Sequence, residues 1–451
     1  MSSNANDCEV ISEGLARYKQ IIVKDLKGVK HPKLPVLEGL QVKVNDDCSC
    51  GYPNHDSDES YVIEVPPQGA AVLTSKSIWG AIRGLETFSQ LVHDDNDKNL
   101  LINSTIINDA PRYKYRGLLV DTARHYQPIK TIKKNLSKIF PNLTKLGAYS
   151  QKHVYTQDNI RDIIQYARLR GIRVVPELDT PGHTQALGKA FPWLLTPCYG
   201  EGPEHPYTPN HPEHAAAEML NPMLNDTYRI FKMLVEEIKT VFKDEKSSPE
   251  IKEFMQKNNY TDYNQVEQHY VRKTLQNVKD IGYKYIIWQD PIDNDVVASP
   301  DSIVEVWKDT SLDLKMDKWE NYIKPIAKKG YQIILSACWY LNYISYGMDW
   351  KKYYECDPRN FDGSEADKDL VIGGEACMWG EYVDGTNLLA RLWPRASAVA
   401  ERLWSPAHLT NDTESASFRL DEHRCRMVRR GIPAQPILNG YCGDYDWELD
   451  N

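Results

Sequence analysis

No stretch of the 451-residue chain approaches the roughly 18 consecutive apolar residues of a membrane-spanning helix, so no span is expected. A long basic run is also missing: 54 Lys and Arg stand against 63 Asp and Glu, a net charge of -9, which argues against a nucleic-acid partner. Neither G-x-G-x-x-G nor G-x-x-x-x-G-K-[ST] occurs, so a nucleotide fold would have no phosphate cradle. The nine cysteines include no C-x-x-C pair and no Cys/His cluster at zinc spacing, and no metal is expected. The start, MSSNANDCEV, has no apolar core segment, so as written the chain carries no signal peptide. Phenylalanine is scarce: 8 Phe against 27 Tyr and 11 Trp favour rings with a polar edge, which suits stacking on sugars.

At 41% apolar and 26% charged residues the chain can bury a sizeable core, and its length leaves room for a small domain beside a large barrel. Six N-x-[ST] sequons, at Asn103, Asn135, Asn142, Asn225, Asn259 and Asn411, join the cysteines in suggesting a lysosomal or secreted protein. The polar start stands against this, fitting either a cytosolic protein or a native chain that begins elsewhere.

Residues 1–110 read as a small α/β domain. Strand-like runs at 36–44, 61–65 and 100–107 surround a helix at 77–92, whose Ile78, Ala81, Ile82, Leu85, Phe88 and Leu91 share one face. Over 111–451 the rhythm changes to strand, loop, helix. Apolar runs at 117–120, 172–178, 285–288, 302–307, 332–340 and 370–379 alternate with helices such as 159–170 and 226–242, which argues for a parallel α/β sheet. Polar and aromatic residues follow these runs: Arg124, Asp179 with His183, Trp288 with Asp290, Trp307, Trp339 with Tyr340, and Trp379 with Glu381. Such residues at C-terminal strand ends are the pattern of a TIM-barrel active site, although six strands are counted and not eight.

Several strings resemble the lysosomal β-N-acetylhexosaminidases of glycoside hydrolase family 20: RGLLVDTARHY (116–126), YARLRGIR (166–173), PELDTPGHT (176–184), SACWYLN (336–342), GGEACMWGEYVD (373–384), LWPRA (392–396) and AERLW (400–404). The resemblance implies a TIM-like (β/α) barrel preceded by a small non-catalytic α/β domain. It also implies removal of terminal β-linked GlcNAc or GalNAc from glycans, glycolipids or glycoproteins, without cofactor, by a homo- or heterodimer. In that family a Glu protonates the leaving oxygen while the substrate's own 2-acetamido oxygen attacks C1, held by the Asp before that Glu, the substrate-assisted exception among retaining glycosidases. Carried over, Trp288, Trp307 and Trp379 would form an aromatic box and Tyr340 would donate to the acetamido oxygen. Arg124, Asn342 and Glu381 would bind the sugar, and Asp179 with His183 would form a polar pair beside the acid. The resemblance also implies disulfides Cys425 to Cys442 and Cys8 to Cys48 or Cys50, and leaves Cys198 without its family partner.

The resemblance has two gaps. A second strand reading like N-V-x-H-W-H-L-x-D-D and a fourth ending in H-x-G-G-D-E-V, which supplies both catalytic carboxylates, have no counterpart here, and no G-G-D-E occurs in the chain. These are the two strands missing from the count. Asp244 and Glu245 are adjacent near the right place, but they lie between Lys243 and Lys246 with no preceding strand and read as a solvated helix end. The expectation is a family member lacking its catalytic strand, either an incomplete or spliced form of an ordinary hexosaminidase or a sugar-binding protein without activity. The first is the simpler reading, because losing two barrel strands leaves open strand edges and a breached core.

Overall fold

The computed structural model describes residues 1–23, 34–45, 48, 51–94, 99–128, 146–196, 219–242, 263–343 and 347–443. In the first part of the chain, β1 (Ser2–Ser3), β2 (Leu37–Val44), β3 (Tyr61–Val65), β4 (Gly69–Ser75) and β7 (Thr105–Asp109) form one sheet in the order β1-β2-β4-β3-β7. The strands β5 (His93–Asp94) and β6 (Leu100–Leu101) pair antiparallel beside it, so the expected run at 100–107 is two strands. In β2, Leu40, Val42 and Val44 turn inward while Gln41 and Lys43 face solvent, the alternation of a sheet covered on one side. The cover is the helix Ile78–Leu91, started by the Ser77 hydroxyl accepting from the N–H of Trp79 and Gly80, together with the helix Glu9–Val23. That second helix and β4 are not anticipated from the sequence.

The remaining strands are β8 (Tyr115–Val120), β9 (Ile286–Trp288), β10 (Ile303–Val306), β11 (Gln332–Leu335) and β12 (Val371–Met378). All are parallel, in the order β8-β12-β11-β10-β9, which makes a partial barrel. Helices Trp319–Lys328, Trp350–Glu355 and Arg395–Trp404 supply core residues over β10, β11 and β12. The expected strand at 172–178 does not form: the run has no regular structure, and Ile172, Val175 and Leu178 are exposed. A strand needs a ladder partner, and none pairs with this run among the described residues.

The first and last strands of the partial barrel pair along their length, Tyr115 beside Gly373 through Val120 beside Met378. Two glycines permit the approach. A Cβ on Gly373 would stand 1.7 Å from the Tyr115 carbonyl oxygen, and one on Gly374 2.1 Å from the Trp339 ring. Trp339 itself is fully buried and donates its indole N–H to the Tyr353 carbonyl at 2.8 Å, so it belongs to the core and not to the site. Across the two sheets, Glu59 accepts from Arg83 at 2.8 Å and from Arg116 at 2.5 Å, and the Trp404 indole donates to Asp109 at 2.9 Å.

Three disulfides join described residues: Cys8 to Cys48 and Cys425 to Cys442, as the resemblance implies, and Cys338 to Cys356, which it does not. Cys198 and Cys50 lie outside the described residues, and Cys377 is a buried free thiol. Peptide mapping without reductant should recover these three pairs; a different partner for Cys338 or Cys425 would contradict the fold at that point. Gly373→Ala should destabilise the barrel sheet by about 3 kcal/mol or more in chemical denaturation, because overpacking against backbone has nowhere to relax. A near-neutral effect would mean that the β8–β12 seam is looser than described.

Candidate active site

Each strand of the partial barrel ends by delivering one part of a common cluster. After β8 comes Asp121, whose carboxylate accepts from the backbone N–H of Ala123 (2.8 Å), Arg124 (3.3 Å) and Gly380 (2.9 Å) and from the Arg124 guanidinium (3.2 Å). This fixes the loop so that Arg124 lies over the Trp379 ring, 5.1 Å from its centroid, with its Nε 4.0 Å from Glu381. Trp288, at the end of β9, has its ring 5.8 Å from that of Trp379. Tyr340 stands 6.4 Å from Trp379 and 6.5 Å from Trp307, and Tyr343 stands 6.3 Å from Tyr340. Four expected wall residues, Trp288, Trp379, Tyr340 and Trp307, therefore form one continuous run of rings with Arg124 at its side.

Polar acceptors set the tilt of the outer two rings. The Trp307 indole N–H donates to Asp290 at 2.8 Å, and Asp290 is itself held by the Lys308 ammonium at 2.9 Å. Beneath them the fully buried Gln289 side chain accepts the backbone N–H of Trp307 and of Lys308. The Trp288 indole N–H donates to Glu177 at 3.2 Å, which ties the irregular 172–178 run to the end of β9. Glu177 is exposed to solvent overall, while protein packed near its carboxyl partly desolvates it. The crowding, reinforced by the charges of Asp179, Glu375 and Asp121, pushes its carboxyl up to about 7 against the opposing pull of the Trp288 N–H. Burial pushes the Tyr340 phenol well up, so it keeps its proton and stays a donor.

Two residues beyond Glu177, Asp179 accepts from or shares a proton with His183, Oδ2 to Nδ1 at 2.7 Å, which brings the expected polar pair together on an exposed loop. His183 holds a left-handed backbone with φ 54°. Asn342 is half-buried, and its side-chain oxygen has no hydrogen-bond partner among the described residues. Asp244 and Glu245 lie outside the described residues. Glu177 was not singled out from the sequence; it is one letter of the PELD string, and only its reach to Trp288 marks it.

Behind the rings the barrel interior holds a second set of acids. Glu305 on β10 and Glu375 on β12 are buried, the latter accepting from the Tyr115 hydroxyl, and one Glu305 oxygen has no partner among the described residues. Burial and their mutual repulsion raise the Glu305 carboxyl well above its usual range, and burial raises that of Glu375. Burial together with these charges does the same to the Cys377 thiol, which is inert as a nucleophile. No cluster of described His, Cys, Asp and Glu could hold a metal ion.

The family model for the glycosyl hydrolase family 20 catalytic domain matches residues 136–407, and one described as beta-acetyl hexosaminidase like matches residues 2–91. The chain is 41% identical to the beta-hexosaminidase subunit beta of Felis catus over 485 aligned positions, covering 98% of this chain and 88% of that one. To the subunit alpha of Rattus norvegicus it is 40% identical, covering 96% and 88%. Among solved structures, Flavobacterium johnsoniae chitobiase superposes with a TM-score of 0.76 at 24% identity, covering 95% of this chain and 69% of that one. Streptomyces plicatus N-acetyl-beta-hexosaminidase, solved with Thio-NAglucal, gives 0.74 at 21% identity and covers 98% and 93%. At these identities the structures speak for the fold.

The buried acids make a test of the barrel interior. A carboxyl raised in the folded state keeps its proton there after the unfolded chain has lost it, so its stabilising contribution is whole below the unfolded value of about 4.3 and declines as pH rises toward the folded value. The slope reaches about 1.4 kcal/mol per pH unit for each such group. Glu305→Gln should therefore gain stability relative to the parent chain as pH is raised from 5 to 8. The comparison must be with the variant, because His423, lowered to about 4 mainly by burial, acts with the opposite sign. A difference that stays flat across this range would show that Glu305 ionises normally.

Proposed function

The chain belongs to glycosyl hydrolase family 20, and on that premise we propose that its ring cluster seats the terminal, non-reducing β-linked N-acetylhexosamine of a glycan, glycolipid or glycoprotein. Assignment to the glycoside hydrolases of the β-hexosaminidase type follows from the family match and the relatives. The observation that carries the finer reading is the unbroken run Trp288, Trp379, Tyr340, Trp307 beneath Arg124, because aromatic walls with one phenolic donor suit an acetamido-bearing sugar face. In this reading Tyr340 donates to the acetamido oxygen, Arg124 and Glu381 bind ring hydroxyls, and Asn342 offers its unpaired oxygen to the sugar. The tight ring contacts bend the acetamido group toward C1, as substrate-assisted retention requires.

The sequence supplies no Gly-Gly-Asp-Glu strand to align that attack, so turnover is expected to run slower than the family reaction. Loss of a general acid alone costs about 10² to 10⁴ in rate. The reading divides the chain near residues 110 and 111, with the ring cluster in the second part. Three disulfides and three exposed sequon asparagines, Asn103, Asn225 and Asn411, favour a secreted or lysosomal protein. The relatives' designation as alpha and beta subunits favours a dimer.

N-acetylglucosamine should quench tryptophan fluorescence saturably and raise the melting temperature of the chain, whereas glucose should do neither, and Trp379→Ala should abolish both responses. Equal responses to the two sugars, or none to either, would refute recognition of the acetamido group.

A further inference from the structure

Tyr340 carries the phenol that the sugar-binding reading uses, yet it does not stand on a strand. β11 ends at Leu335, and residues 336–339 leave the ladder in a turn closed by the Trp339 N–H to the Ser336 carbonyl at 2.8 Å. The Val306 carbonyl holds the start of this turn, accepting from the N–H of Ser336 (2.9 Å) and Ala337 (3.1 Å). The chain then meets β12 through an isolated bridge opposite Cys377, with the Cys377 N–H donating to the Trp339 carbonyl and the Leu341 N–H to the Cys377 carbonyl, both at 2.8 Å. Past the bridge, the Leu341 carbonyl accepts from Arg395 at 2.7 Å. Between these supports lie Cys338 and Trp339, and a neighbouring helix grips both. The Trp339 indole N–H donates to the Tyr353 carbonyl at 2.8 Å, and Cys338 is disulfide-bonded to Cys356, which caps the helix Trp350–Glu355.

That helix end is a fixed node. Trp350, Tyr353 and Tyr354 are fully buried, and Arg402 donates to the carbonyls of Glu355 (3.3 Å) and Cys356 (3.1 Å). The next residue, Asp357, takes two guanidinium nitrogens of Arg112 (3.0 and 3.1 Å) and the Tyr113 hydroxyl (3.1 Å). Arg112 and Tyr113 lead directly into β8, beyond whose far end Arg124 lies.

We infer that the disulfide between Cys338 and Cys356 is a positioning pair for Tyr340, referring its phenol to the node from which β8, and so Arg124, is placed. The inference rests on the sugar-binding reading above. The bridge stands two residues before Tyr340, so any shift of the turn passes to the phenol with little chain between to absorb it. A site that recognises a small sugar needs its side chains held to within about 0.5 Å. Of the three disulfides among the described residues, this is the one that ties a ring-bearing segment to its backing helix. Cys8 with Cys48 belongs to the core of the first sheet, and Cys425 with Cys442 joins the helix Thr413–Arg429 to the chain after it.

The test compares the whole chain carrying Cys338→Ser with Cys356→Ser against one carrying Cys425→Ser with Cys442→Ser, each at a temperature where circular dichroism shows it folded. Both should melt below the parent, because the two bridges close loops of similar length, 18 and 17 residues. The first alone should bind N-acetylglucosamine about tenfold more weakly by tryptophan fluorescence, the size of one lost hydrogen bond. In a Tyr340→Phe chain, removing the Cys338 bridge should cost less than about threefold further, since both changes act on one contact. Unchanged affinity in the first variant, equal weakening in both, or a full tenfold loss on top of Tyr340→Phe would each overturn the inference. Should the first variant not fold, Asp357→Asn carries the test, because it loosens the anchor of Cys356 with the bridge intact: weaker binding supports the inference and unchanged affinity overturns it. A parent chain that binds no N-acetylglucosamine would instead refute the reading on which the inference rests.

Discussion

When β8 zips onto β12, groups 259 residues apart in the chain become hydrogen-bonded neighbours, the Gly380 N–H donating to Asp121. This seam joins the first strand of the sheet to its last, and most of the site depends on it. It places Asp121 and Arg124, which leave β8, against Trp379 and Glu381, which leave β12, and so converts two distant strings into one wall. The seam is possible only because Gly373 and Gly374 carry no side chain where the Tyr115 backbone and the Trp339 ring press in. A long-range parallel pairing of this kind is entropically costly to form, and its register, continuous from Tyr115 to Val120, leaves no slack in where Arg124 lands.

Once the walls are placed, the carboxylates decide what they can do. Asp290 and Glu177 both accept an indole N–H, yet their surroundings differ in the charge they supply. Lys308 pairs with Asp290, which accepts the Trp307 indole N–H and so anchors that ring. Desolvation by the surrounding protein, with the charges of Asp179, Glu375 and Asp121, pushes the Glu177 carboxyl up although the residue is exposed to solvent. Two acids that each accept an indole N–H thus sit in different electrostatic surroundings.

The strands β10, β11 and β12 were legible because they are largely buried and read as apolar runs; every residue of β12 is buried. Residues 172–178 also carry apolar side chains, but Pro176 interrupts them and no described strand pairs with them, so no strand forms. The strand β4 (GAAVLTS) escaped notice because its small first residues carry little strand signal. The Cys338 to Cys356 bridge was illegible because spacing does not determine connectivity. The wall residues were found by their position after apolar runs and by resemblance. Glu177 was not, since its hydrogen bond with Trp288 joins residues 111 apart in the chain, which no local string encodes.

Among the described residues, support is spread unevenly around the site. Helices Trp319–Lys328, Trp350–Glu355 and Arg395–Trp404 back β10, β11 and β12, and the main core lies between them. Trp307, Tyr340 and Trp379 extend from this braced half, so they have the supporting shell that recognition of a small sugar requires. The 172–178 run, with Glu177, Asp179 and His183 at its end, belongs to the unbraced half, where β8 and β9 each present an edge unpaired among the described residues. In the proposed reading sugar binding draws mainly on the braced half, while the 172–178 run lies in the other. A displacement of about 1 Å there can cost 10²-fold in rate with little change in affinity. Uneven bracing of one sheet can therefore hold the ring wall firmly while the loop residues beside it are set less firmly, because the two draw on different halves of that sheet.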